Sequence, residues 1–423
     1  MEPNVQPNMQ SEQQAAPSRA PMTVAMRVMH LIAFTIFPLS IPSVLYLIGI
    51  AGDDPAMQTA AAALPFLVIC AGLLYSLICC RRPVYLIGAV ICTLFCAGVA
   101  PGFGACGAAL ICSSVAGGAL MADLPAKHLW LPGAAFAIAL GASFALTGTP
   151  LLCALTLLPL LGAVALGICQ RKKYSLIVST GSMTGALAAG LILYLLALGV
   201  SSGMPLTVDG IREAVAASRA SLTETFVTTL DAMLEMPEFA EQYTAIFGEA
   251  LDTEALREVA GVYGAMALNL MPGLIGALLW CISFVSVKGA IATLYRKTPR
   301  TAYPAHAARF IPSLPTAIFY LLCLGGSMIT LFFPITEMVF FILLNIVLIL
   351  LPMMTLTGIL DALSSFRRPH GRFATVALWV VALLFLGIWV LPVISITGAF
   401  SIVSRAIYKA LEQKLNSYKG DQQ

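Results

Sequence analysis

The sequence predicts an all-α polytopic integral membrane protein with 11–12 transmembrane helices and an extracytoplasmic helical insertion. Three observations predict it. The 423 residues are 59% hydrophobic and only 10% charged, with a mean hydropathy of +0.92, far too little charge for a water-exposed surface. Apolar runs of the ~20 residues needed to cross a bilayer recur along the whole length. The short loops between them alternate between basic and non-basic. A β-barrel would instead alternate polar and apolar residues over ~10-residue strands.

Residues 1–25, rich in Gln, Pro, Ala and Ser, read as a disordered tail. They lack the basic start and small-residue cleavage site of a removable signal, so the first apolar run reads as a retained span. Residues 26–203 read as a bundle of seven helices, with spans near 28–50, 59–79, 83–100, 105–122, 130–147, 150–169 and 175–200. Residues 204–260 form the polar insertion. Residues 261–411 read as a second bundle of four to five helices, with spans near 262–294, 314–333 and 337–362 and a final stretch over 373–410. Residues 412–423 complete the chain as a basic tail.

Thirteen basic residues concentrate in alternate loops: Arg81 and Arg82; Lys127; Arg171, Lys172 and Lys173; Arg296, Lys297, Arg300 and Arg309; Arg367, Arg368 and Arg372. The short loops between these hold no Lys or Arg. The positive-inside rule therefore places the N-terminus in the cytoplasm and residues 204–260 outside, in a plasma membrane. From Asp209 to Glu258 the insertion carries eleven acidic and three basic residues. Apolar positions at helical spacing (Ile211, Val215, Leu222, Phe226, Leu230, Met233, then Phe239, Tyr243, Ile246, Phe247, Leu251) predict two amphipathic helices that break near Met236–Pro237. Their apolar faces call for mutual packing, a membrane surface or a partner protein. The 38 residues from Phe373 to Ala410 suit two minimal spans hinged at Pro392, which returns the basic C-terminus to the cytoplasm. One span followed by an outer amphipathic helix is the alternative.

Small residues recur every fourth position at Ala105, Ala109, Ser113 and Gly117; at Gly133, Ala137, Gly141 and Ala145; and at Gly181, Gly185 and Ala189. Such ladders let helix backbones approach closely, so Gly133, Gly141, Gly181 and Gly185 are expected at helix-packing positions, within the bundle or against another membrane subunit. Strongly polar groups at mid-span are few; Asn269 and Asn345 are the most interior. Pro132, Pro159, Pro272, Pro315, Pro352 and Pro392 fall in or beside spans, where a break could expose irregular backbone to a cavity. "NLMPGLIGALLW" combines Asn269, Pro272, Gly273 and Gly276. Asn269, Pro272, Gly273 and Asn345 are therefore the candidate ligand pocket.

His30, His128, His306 and His370 lie far apart and suit interfacial positions, not a zinc site. The eleven cysteines all lie in or beside apolar runs; Cys92 and Cys96 share a helix face, but packing accounts for them. No Walker A, Rossmann or nucleophile-elbow pattern is present. The expectation is no catalysis, no cofactor, no bound metal and no nucleic acid, with the lipid bilayer as solvent.

The segments "PLLCALTLLPLLGAVALGICQRKKYSL", "MPGLIGALLWCISFVSVKGAIATLYRK", "ARFIPSLP", "LLNIVLILLPMMTLTGILDAL" and "LPVISITGAFSIVSR", with Arg309, Pro312, Asn345, Gly358, Gly398 and Arg405 at matching places, resemble the YybS-like family of bacterial polytopic membrane proteins (domain of unknown function 2232). Ser401 stands where that family carries an acidic residue. The resemblance covers about residues 150–410. It implies a bacterial inner-membrane protein distantly similar to the substrate-binding subunits of energy-coupling-factor transporters, with an outward pocket and a separate membrane or ATPase partner subunit. Two functions follow as expectations: a small-molecule-binding, transport-related membrane subunit, or a non-catalytic envelope structural or assembly protein that binds a partner through its acidic outer helices.

Overall fold

The structure, a computed structural model, describes residues 21–50, 55–80, 101–203, 205, 207–234, 236, 253–298, 304, 310, 312–332, 337–365 and 390–420. The predicted tail up to residue 20, the span at 83–100 with the Cys92/Cys96 pair, the second amphipathic helix over 237–252 and residues 366–389 lie outside these. Among the described residues the chain is all-α, and nine of its helices are long and apolar enough to cross a membrane. They divide into two compact units: one drawn from Met1–Tyr194 and Leu279–Phe310, the other from Leu195–Leu278 and Ile311–Gln423.

The first unit contains α1 (Val24–Ile50), α2 (Pro55–Cys80), α3 (Pro101–Asp123), α4 (Trp130–Thr147), α5 (Pro150–Ala154), α6 (Leu157–Arg171) and most of α7 (Leu176–Ser201). α3 is its centre, because the ladder Ala105, Ala109, Ser113 and Gly117 is fully buried or packed and strips that helix of bulk. A Cβ on Gly117 would stand 2.7 Å from the Ala163 Cβ and collide with the Phe34 ring; one on Gly118 would stand 2.7 Å from Leu166 Cγ. α1 therefore lies antiparallel on α3, with Phe34 beside Gly117, Ile48 beside Gly102 and Arg27 beside Asp123. α6 lies parallel to α3, with Gly162 against Ser114 and Gly167 against Met121. The end of α6 is pinned by Arg171, whose guanidinium donates to the carbonyls of Met121 and Leu124. α2 runs antiparallel to α1, as His30 and Phe37 both meet Tyr75 and His30 meets Cys79. Since α2 and α3 both oppose α1, the end of α2 and the start of α3 lie at opposite ends of the bundle.

The predicted span at 150–169 is two helices. Pro159 has no N–H for the Leu155 carbonyl, and the Leu158 N–H bonds it instead at 3.2 Å, a three-residue turn between α5 and α6. Gly148, at φ 63°, ends α4 so that Pro150 starts α5 at once.

The second unit contains α8 (Val208–Leu234), the first part of α9 (Thr253–Leu294), α10 (Leu314–Phe332), α11 (Glu337–Ser365) and α12 (Val390–Gly420). α8 ends at Leu234, where the sequence places the break before Pro237. α9 runs 42 residues without interruption, about 63 Å at 1.5 Å per residue, and stays helical through Pro272, where the sequence suggested a break. Its second part, from Leu279, clusters with the first unit. There Lys288 places its Nζ 5.8 Å from the centre of the Phe284 ring.

α11 and α12 cross where Gly358 meets Ile394 and Gly398, and seven residues further along α12 the Arg405 guanidinium pairs with Asp361. Because Asp361 and Arg405 both lie C-terminal to the crossing on their own helices, the two helices run parallel. α9 is parallel to α11 as well, with Gly273 at Asn345 and Gly276 at Ile349, whereas α10 is antiparallel, with Gly326 at Leu343 and Phe319 beside Ile349. Pro392 sits in the first turn of α12, where its ring is tolerated. The helix then continues to Gly420, through most of the basic tail.

Candidate functional site

The four candidate pocket residues do come together, but as a helix–helix joint. Pro272 supplies no N–H to α9, a point of weakness in its hydrogen-bond ladder. The next residue, Gly273, donates its N–H to Asn345 Oδ1 at 2.6 Å. Asn345 Nδ2 donates to the Asn269 carbonyl at 2.7 Å and to the Phe341 carbonyl of its own helix at 2.8 Å. Gly273 N–H and Asn269 C=O stand in the i→i−4 relation, so one carboxamide from α11 engages both members of a backbone pair beside the proline. The carbonyl deprived of its donor by Pro272 is that of Leu268; Asn345 braces the next backbone pair along, from the neighbouring helix.

The joint is closed. A Cβ on Gly273 would stand 2.6 Å from Asn345 Oδ1 and 2.9 Å from its Cα; one on Gly276 would stand 2.6 Å from Ile349 Cγ1. Asn345 uses its acceptor and both donor hydrogens on backbone. Asn269 contributes its carbonyl to the joint, and Pro272 is exposed. A separate shallow depression of about 360 Å³ lies between α10 and α11, lined by Pro315, Thr316, Phe319, Ile346, Ile349 and Leu350. Apart from the Thr316 hydroxyl its lining side chains are apolar, so it lacks the convergent polar groups that orient a polar ligand.

The ladder glycines divide. The α3 ladder packs, as described above. At Gly133, Gly141, Gly181 and Gly185, however, an added Cβ meets no described atom within 4 Å. Among the described residues, close approach is made by Gly117, Gly118, Gly162, Gly167 and Gly190 in the first unit and by Gly273, Gly276, Gly358 and Gly398 in the second. The stripes on α4 and α7 look outward.

Sequence reasoning missed a polar cluster around α1. His30 is fully buried, and its Nδ1 lies 2.7 Å from the Tyr75 hydroxyl and 3.9 Å from Cys79 Sγ. Nearby, Arg27 Nε pairs with Asp123 Oδ2 at 2.8 Å, Asp123 also accepts the Met22 N–H at 3.2 Å, and Arg296 donates to Met26 Sδ at 2.8 Å. No local motif announces partners 45 to 270 residues apart.

On α8, Asp209, Glu213 and Glu224 are exposed, and Arg212 lies 4.0 Å from Asp209. Thr223 meets Gly261 at the start of α9, so the acidic helix rests against that helix there. No protein-family model matches the chain, and neither curated proteins nor solved structures give a match.

Proposed function

We propose that this chain is a non-catalytic membrane protein that acts by assembly, holding the transmembrane helices of a partner subunit against α4 and α7. The observation that carries this reading is the outward placement of Gly133, Gly141, Gly181 and Gly185, unused by the described part of the chain. Between apolar helices in lipid there is no hydrophobic drive to associate, and association depends on the close packing that such small residues permit. The exposed acidic α8 supports the same reading with a second surface for a basic partner. We place α8 outside the cell and the N-terminus in the cytoplasm, on the distribution of Lys and Arg among the loops.

Bulky side chains on the stripes test it. The variants Gly141→Leu and Gly185→Leu, expressed in the native host and extracted gently, should run as the free chain on native gels where the wild type runs as a larger complex. A complex of unchanged mass in both variants overturns the reading. Transport-related binding of a small molecule, which the YybS-like resemblance suggests, is the second reading. The depression at Phe319 and Ile349 favours it, with an apolar ligand. Native mass spectrometry of the purified chain separates the two: a retained small molecule supports binding, a retained polypeptide supports assembly.

A further inference from the structure

His30 lies six residues into α1, about 9 Å along a helix that spans the membrane by length and composition. It is fully buried, and its Nε2 makes no hydrogen bond to any described residue. A neutral imidazole has one donor and one acceptor nitrogen. With Nδ1 bonded to the Tyr75 hydroxyl, Nε2 is left over in either tautomer. Leaving a buried polar atom unmatched costs about 1–3 kcal/mol, and ionisable groups inside a membrane mark proton and ion sites. A packing role alone would be met by Leu or Phe at no such cost.

We propose that His30 is a buried proton-binding site, with Tyr75 fixing its tautomer and Asp123 as counter-ion. In the resting form Nδ1–H donates to Tyr75 Oη and Nε2 holds a bare lone pair. A proton from water binds that lone pair; no other bond breaks, and the ring becomes an imidazolium with N–H at both nitrogens. The charged groups that bear on it are few. Asp123 on α3 and Arg296 beyond α9 are those whose fields reach the ring. Arg27 on α1 is paired with Asp123. α2 contributes Tyr75 and Cys79. α4 and α5, which also pack on α1, bring no Asp, Glu, Lys, Arg or His. Among the described residues Asp123 is the anion whose field reaches the ring, and Arg27 shares it.

The test is ¹⁵N NMR of the full chain labelled at histidine and held in lipid nanodiscs, from pH 8 to pH 4. Replacing His128, His306 and His370 by Gln leaves His30 as the sole imidazole, so the signal is assigned without altering the site. The expected result is a single Nδ1–H tautomer at pH 8 that converts to imidazolium as the pH falls, with far-UV circular dichroism unchanged. Asp123→Asn should weaken proton affinity about tenfold, moving the midpoint down by about one pH unit. A ring that carries its proton on Nε2 at pH 8, one that stays neutral to pH 4, or a midpoint indifferent to Asp123→Asn overturns the proposal.

Discussion

Gly398→Ala on α12 should destabilise the protein, although alanine is the better helix former. At Gly398 an added Cβ collides with the Met354 carbonyl oxygen and stands 2.7 Å from the Gly358 nitrogen and 3.2 Å from its Cα. Ordinary C···O contact needs about 3.3–3.6 Å, so α11 and α12 must part by roughly 1 Å at their crossing. Both sides of the clash are backbone, and no side chain can rotate away. Overpacking of this kind costs about 1–3 kcal/mol, and a gap of that size forfeits a quarter to a half of the dispersion energy nearby. Against this stands a helix-propensity gain of about 0.5–1 kcal/mol for replacing glycine. The net loss is about 1–2 kcal/mol. Gly185→Ala on α7 is the matched control, because nothing described lies within 4 Å of its new methyl. There the propensity gain stands alone, and stability should rise by about 0.5–1 kcal/mol. Reversible unfolding of both variants in mixed micelles, titrated with denaturing detergent, reads the two signs. A Gly398→Ala protein as stable as wild type would refute the crossing.

Two further predictions follow from the same contacts. Asn345→Leu removes three hydrogen bonds, but it frees Gly273 N–H and Asn269 C=O to bond each other, so the loss should stay near 1–2 kcal/mol in the same titration; retention of any co-purified ligand should not change, and its abolition would restore the pocket reading. A single cysteine at Met236, just past α8, should react with an impermeant maleimide on intact cells in a chain otherwise free of reactive thiols, while one at Lys172 should react only after permeabilisation; the reverse pattern would invert the topology.

What the sequence disclosed, and what it did not, follows the range of the forces involved. Apolar length and loop charge are local or additive signals, so the described spans, the end of α8 before Pro237 and the ladder at the centre of α3 were all legible. Which glycines touch a neighbour was not. Gly133 and Gly141 have the same spacing as Ala109 and Gly117, yet only the second pair meets another described helix, because the outcome depends on which face α1 and α6 happen to cover. Prolines show the same limit. Pro159 and Pro272 remove the same N–H. The first marks a break, because the Leu155 carbonyl is satisfied by a tight turn; the second does not, and a carboxamide 72 residues away braces the backbone beside it.

The same reasoning explains why the polar groups that matter here were the hardest to find. In an apolar chain a lone histidine or asparagine has no pattern to belong to; its meaning is set by what opposes it on another helix. Asn345 meets backbone on every side, and with its hydrogen-bonding capacity so engaged it acts as a clamp. His30 meets Tyr75 and Cys79 through one nitrogen and keeps the other unmatched among the described residues, which is why it is proposed to take a proton. Two residues of similar polarity, both deep in apolar runs, are thereby assigned opposite roles by a count of satisfied atoms, a quantity that exists only once the helices are packed.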